Sequence, residues 1–160
     1  MVFGVTPLEL LVLILSDSGY TVKEIAKLLD VDVDMMNDIV EDLVDKGYVN
    51  VKRRWKLFGS DLYLELTPQG KKALRDVARV LRDVVNTVKG MVDKGNIDGA
   101  RAFLSRYVEY LPYAPLLGVA EKDFIDTVMQ KLGIVPTYAP PDSVYNELLK
   151  GSEEWWEEEL

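Results

Sequence analysis

The chain contains no cysteine and no histidine. The first absence excludes disulfides, thiolate nucleophiles and sulfur-ligated zinc; the second removes imidazole acid–base chemistry and the commonest metal ligand. Carboxylates, hydroxyls, lysine and tyrosine are left for catalysis, and neither a glycine-rich phosphate loop nor a Gly-x-Ser-x-Gly elbow is present. The expectation is a protein that is not an enzyme and uses no cofactor or metal. Long apolar runs are also missing. The longest, Leu10 to Leu15, falls far short of the roughly 20 residues that cross a bilayer. No basic stretch precedes it to make a leader peptide, so a cytoplasmic location is expected. Missing cysteine beside abundant Lys, Arg, Asp and Glu is a composition that points towards a thermophile.

What is present suits one domain, or a small domain with an appendage: 160 residues, 48% of them hydrophobic and 29% charged. The net charge of −8 is unevenly spread. Residues 1–50 carry 3 basic and 10 acidic side chains, residues 51–100 carry 11 and 6, and residues 101–160 carry 5 and 11. The middle third is a basic island in an acidic protein.

Helix-start signals punctuate the first half. Thr6-Pro7-Leu8-Glu9 reads as a capping box with proline at the first helical position, opening an apolar helix that Ser18-Gly19 stops. Thr21-Val22-Lys23-Glu24 repeats the box and starts a short helix packing through Ile25, Leu28 and Leu29. After the turn Asp30-Val31-Asp32, with Asp32 as cap, a third helix carries Met36, Ile39, Val40 and Leu43 at helical spacing and ends at Lys46-Gly47-Tyr48. Two short helices across a three-residue turn make a helix-turn-helix pattern. Val49–Val51 and Leu62–Leu66 then read as strands around a turn at Phe58-Gly59-Ser60-Asp61, and Thr67-Pro68 caps a helix running to about Lys94.

The segments Thr21 to Leu29, Lys46-Gly47-Tyr48-Val49 and Leu66-Thr67-Pro68-Gln69-Gly70 together resemble winged-helix regulators of the MarR and PadR type. The resemblance covers about residues 6–72. It implies a mainly α fold with a small β-hairpin wing, its winged helix-turn-helix domain lying over residues 1–70; the residues that follow, with no family recognised over the chain's last third, read as a long amphipathic helix over 71–95, a helical extension over 96–151 and an acidic tail over 152–160. It also implies a homodimeric transcriptional regulator whose partner is double-stranded DNA. Fold alone does not fix that function.

On the long helix, Leu74, Val77, Leu81, Val84, Val88 and Met91 alternate at spacings of three and four. This is an a/d seam suited to dimerisation, or to packing on the helix's own domain. Lys71, Arg75, Arg79, Arg82 and Lys89 fall on the opposite face. The third helix is less suited to DNA. Its outward positions are Asp34, Met35, Asn37, Asp38, Glu41, Asp42 and Asp45, of which Asn37 alone is a comfortable base reader. Each carboxylate about 8 Å from a phosphate costs roughly 0.5 kcal/mol even in water. Lys52, Arg53, Arg54 and Lys56, interrupted by Trp55, supply the opposite charge on the wing. The expected DNA contacts are therefore Lys52, Arg53, Arg54, Lys56, Arg75, Arg79 and Arg82, with Asn37 from the third helix. Two alternatives stand beside them: the wing cations pair with the acidic third helix while Trp55 joins the core, or the acidic helix docks on a basic protein partner without DNA.

Beyond Gly95-Asn96, helices are expected from Asp98 to Leu111 and from Lys122 to Leu132, followed by an extended proline-containing linker to Pro141 and a short helix from Asp142 to Lys150. Tyr107, Tyr110, Tyr113 and Phe124 form either core or a ligand pocket. Trp155 and Trp156 sit among the glutamates of the tail, where they are expected to dock in an apolar groove while the glutamates compete with nucleic acid.

Overall fold

The computed structural model describes residues 3–149. The tail expectation, with Trp155 and Trp156, lies outside them. Helices dominate, in the order α1 (Pro7–Asp17), α2 (Val22–Leu29), α3 (Val33–Asp45), strands β1 (Val49–Trp55) and β2 (Ser60–Leu66), α4 (Pro68–Asp93), α5 (Ile97–Leu104), a 3₁₀ turn at Leu111–Tyr113, α6 (Lys122–Leu132) and a last helix, α7, over residues 142–149. Among the described residues no helix is long and apolar enough to cross a membrane.

The caps of α2 and α3 act where the sequence places them. Thr21 Oγ1 accepts from the Glu24 backbone N–H while the Glu24 carboxylate accepts from the Thr21 N–H, at 3.2 and 2.9 Å, so two otherwise orphaned donors at the start of α2 are satisfied. Asp32 Oδ1 accepts from Met35 N–H at 2.7 Å and starts α3. Gly47, at φ 76°, lets the chain leave α3 in a left-handed turn, with Gly47 and Tyr48 donating back to the Val44 and Leu43 carbonyls.

The described residues divide into two compact units. One comprises residues 8–74 and 140–149, the other residues 3–7 and 75–139. In the first unit, α1 is buried on nearly every side, including Glu9, whose carboxylate sits 2.9 and 3.0 Å from Lys46 Nζ. Ile25 and Leu29 of α2, Met36, Ile39 and Leu43 of α3, and Val49, Leu64 and Leu66 of the hairpin are buried too. The strands pair antiparallel from Val49–Leu66 to Trp55–Ser60, and the Thr21 backbone bridges to Tyr63 beside them. A clasp closes the hairpin base. Thr67 donates through its N–H to the Tyr48 carbonyl (3.0 Å) and through its hydroxyl to the Gly47 carbonyl (2.6 Å), while its hydroxyl oxygen accepts from Gly70 N–H (3.0 Å). One threonine thus caps α4 and ties its start to the end of α3. From α7, Glu147 accepts a hydrogen bond from Tyr20 at 3.3 Å; burial and then the nearby Glu147 charge raise the Tyr20 phenol above its ordinary pKa.

In the second unit, Val84, Val85 and Val88 of α4 pack with Ala100, Leu104, Leu111, Ala114, Ile125, Val128 and Leu132. The tyrosines are part of this interior. Tyr110 and Tyr113 are buried, Tyr107 and Phe124 pack against the cluster, and the Tyr110 hydroxyl donates to the Val5 carbonyl at 2.7 Å. Thr137, in the non-regular stretch 134–141, is held by the Glu109 carboxylate through its backbone N–H (3.0 Å) and its hydroxyl (2.9 Å).

Three expectations need correction. The helix predicted from Asp98 to Leu111 is shorter: α5 closes at Leu104, where the Ser105 hydroxyl takes up the Ala102 carbonyl at 2.7 Å and competes with the helical ladder. Its start is set by Asn96, which accepts from Gly99 N–H at 3.0 Å rather than only ending α4. The first strand reaches Trp55 instead of stopping at Val51, which shifts the turn from Phe58–Asp61 to the Leu57–Phe58 tip.

Candidate nucleic-acid interface

The extra length of β1 decides where its cations stand. Alternation along a strand puts Val49, Val51, Arg53 and Trp55 on one face and Asn50, Lys52 and Arg54 on the other, each with its partner on β2. The Val51–Leu64 pair is the last with a buried member. At the next pair, Lys52–Tyr63, β2 is still bridged to Thr21; from there to Trp55 the hairpin continues for about 10 Å at ordinary strand rise, and every β1 side chain along it is exposed.

Three of the four cations on this projection, Arg53, Arg54 and Lys56, are held in place. The Arg53 guanidinium lies 5.5 Å from the Trp55 ring centre and donates to Ser60 Oγ at 2.7 Å; Arg54 lies 5.0 Å from the Tyr63 ring centre. Such contacts restrict long side chains while leaving their charge in place. Lys56 pairs with Asp61 across the turn, and among the described residues it alone of the four is ion-paired. The cations therefore do not pair with α3 in this chain. Trp55 does not join the core either: 76% of its surface is accessible.

The tip carries a feature that sequence reasoning missed. Leu57 and Phe58 occupy the two end positions of the hairpin, each 90% exposed. Gly59, at φ 90°, supplies the left-handed residue, and Lys56 N–H donates to the Gly59 carbonyl at 3.0 Å. Neither Leu57 nor Phe58 serves the turn, because such positions favour residues that adopt positive φ or bond their own backbone. The available signal was an apolar pair where turn chemistry calls for Asn, Asp or Gly.

On α3, Asp34, Met35, Asn37, Asp38, Glu41, Asp42 and Asp45 are all exposed. Asn37 shares the first unit with the hairpin, but its surroundings are carboxylates. In the second unit Arg75, Arg79 and Arg82 are exposed on α4, with Arg79 3.3 Å from Asp76. The a/d seam faces inward. Val77, Leu81, Val84 and Val88 are buried within a single chain, and Leu74 and Met91 are half-buried. Among the described residues no cluster of three or more carboxylates could hold a metal ion.

Comparison with protein-family models, with curated proteins and with solved structures gives no match to this chain. The functional reading therefore rests on the residues themselves.

Proposed function

We propose that residues 8–74 are a winged helix-turn-helix domain and that the chain is a DNA-binding transcriptional regulator, gripping double-stranded DNA mainly through its basic hairpin. The observation that carries this is the projecting hairpin itself, with Lys52, Arg53, Arg54 and Lys56 exposed on it. Four cations on one narrow finger suit a phosphate backbone, and the affinity they supply is electrostatic and independent of sequence. Arg75, Arg79 and Arg82, in the other unit, are a second exposed basic stretch. Homodimerisation through the α4 seam is not part of the proposal, since four of its six residues are already buried in one chain.

A second reading is favoured by α3. Its exposed carboxylates oppose a polyanion and suit a basic protein partner, which complementary charge would steer into place. Fluorescence anisotropy with a random-sequence duplex at two salt concentrations separates the two. The regulator binds at low salt with a steep salt dependence. Replacing Arg53, Arg54 and Lys56 together by Ala lowers the slope of log K against log salt by about 2 to 3. No binding at low salt removes DNA and leaves the protein-docking reading.

A further inference from the structure

We infer that Leu57 and Phe58 form an apolar wedge that enters the minor groove of duplex DNA and kinks it, so that the protein selects sites by how easily the duplex deforms. The inference deepens the regulator reading and rests on it.

Three observations lead there. The first is the tip: two large apolar side chains, each 90% exposed, at the end of a finger that reaches about 10 Å beyond the Lys52–Tyr63 pair, the last one bridged to Thr21. That reach exceeds the roughly 7.5 Å depth of the minor groove. The groove is only about 6 Å wide, so a flat two-stranded ribbon does not fit, whereas the turn can enter end-on. Leu and Phe are among the side chains that part base steps from this side.

The second observation is the arrangement of charge behind the tip. Lys52 and Arg54 lie on one face of β1, Lys56 follows at the turn, and Arg53 lies on the other face. Successive cations on one face are spaced about 7 Å along the strand. Charge strung along the finger meets phosphates on the groove walls as the tip goes in. An anchor for an anionic membrane surface would instead gather its cations at the one depth where headgroups lie.

The third is α3. Its exposed face presents Asp34, Asp38, Glu41, Asp42 and Asp45 around Asn37, so direct reading of base edges has little to work with. Sequence preference must then come from deformability, which is read at flexible pyrimidine–purine steps without base contacts.

The test uses the full chain and end-labelled duplexes of about 25 base pairs, one with a central TA step, one with an A-tract and one with a two-nucleotide bulge. Bending is followed by energy transfer between the ends, and affinity by anisotropy. Leu57→Ser/Phe58→Ser is the decisive variant; neither side chain is buried, so unfolding is not at issue. The wild-type chain should bend the TA duplex by at least about 20°. It should also bind the bulged and TA duplexes about tenfold more tightly than the A-tract, where stiffness opposes the kink. The double variant should keep the salt slope, lose the bend and bind all three within about twofold. Binding without bending, or bending unchanged in the variant, overturns the wedge and leaves the regulator reading standing. No binding to any duplex removes both. Tip-dependent binding to vesicles of mixed neutral and anionic lipid, with DNA affinity unaffected by the double variant, would assign the tip to a membrane instead.

Discussion

Gly70→Ala should weaken the protein far more than a glycine-to-alanine change in a helix normally does. Gly70 is buried in the first turn of α4, and a Cβ there would be driven into the Tyr48 backbone, with its carbonyl carbon at 3.0 Å and its Cα at 3.3 Å and the carbonyl oxygen nearer still. Backbone cannot rotate aside as a side-chain end can. Accommodating the methyl means moving α4 away from the end of α3, at an overpacking cost near 3 kcal/mol. That motion also strains the Thr67 N–H bond to the same Tyr48 carbonyl, worth about 1 kcal/mol. The gain in helix propensity, about 1 kcal/mol, offsets part of this. The net loss is about 3 kcal/mol, or a fall in Tm of roughly 6–12 °C for a chain of this size. Gly90→Ala is the internal control. It lies on the same helix with nothing within 4 Å of an added Cβ, and should stabilise by about 0.5–1 kcal/mol. Both variants are measured by thermal and urea denaturation. If Gly70→Ala matches Gly90→Ala, the close approach of α4 to Tyr48 is not a constraint and the reasoning is wrong.

Two further outcomes test the interior and the caps. Lys46→Met removes the cation 2.9 and 3.0 Å from the Glu9 oxygens, where the carboxylate side chain is only 6% accessible; about 2–3 kcal/mol should be lost in urea denaturation at neutral pH, and adding Glu9→Gln should restore at least half of it. The Thr21 backbone N–H, with its hydroxyl, holds the Glu24 carboxyl below its ordinary pKa. A carboxylate depressed in the folded state stabilises above its unfolded pKa, and that contribution disappears as pH falls through the folded value. Glu24→Gln should therefore show a shallower loss of stability on acidification than the wild-type chain, and identical acid limbs would count against the capping box.

The first half of the fold was legible because its signals are local. Thr21, Asp32 and Gly47 each act through bonds to residues within a few positions, so their spacing in the sequence is their spacing in space. The run Leu66-Thr67-Pro68-Gln69-Gly70 could be recognised as a pattern, but its reason is tertiary: Thr67 and Gly70 both answer to the backbone of Gly47 and Tyr48. The α4 seam shows the limit. Its a/d spacing states that one face is apolar and is silent on whether another chain or its own covers it; here Ala100, Leu104, Ile125, Val128 and Leu132 pack with Val84 and Val88. At the hairpin the exposed position of the cations could be read from the sequence, while the apolar tip went unread because the first strand runs past Val51 through Lys, Arg and Trp, which half-buried alternation does not predict.

The interleaving of the two units sets the order in which the protein can be completed at the ribosome. Residues 3–7 are made before 8–74 yet belong with 75–139, and Val5 waits for the Tyr110 hydroxyl until more than a hundred further residues have been added. Residues 8–74 likewise remain without 140–149, and Tyr20 without Glu147, until the whole of the other unit has been made. A single cut in the gene cannot release either unit whole.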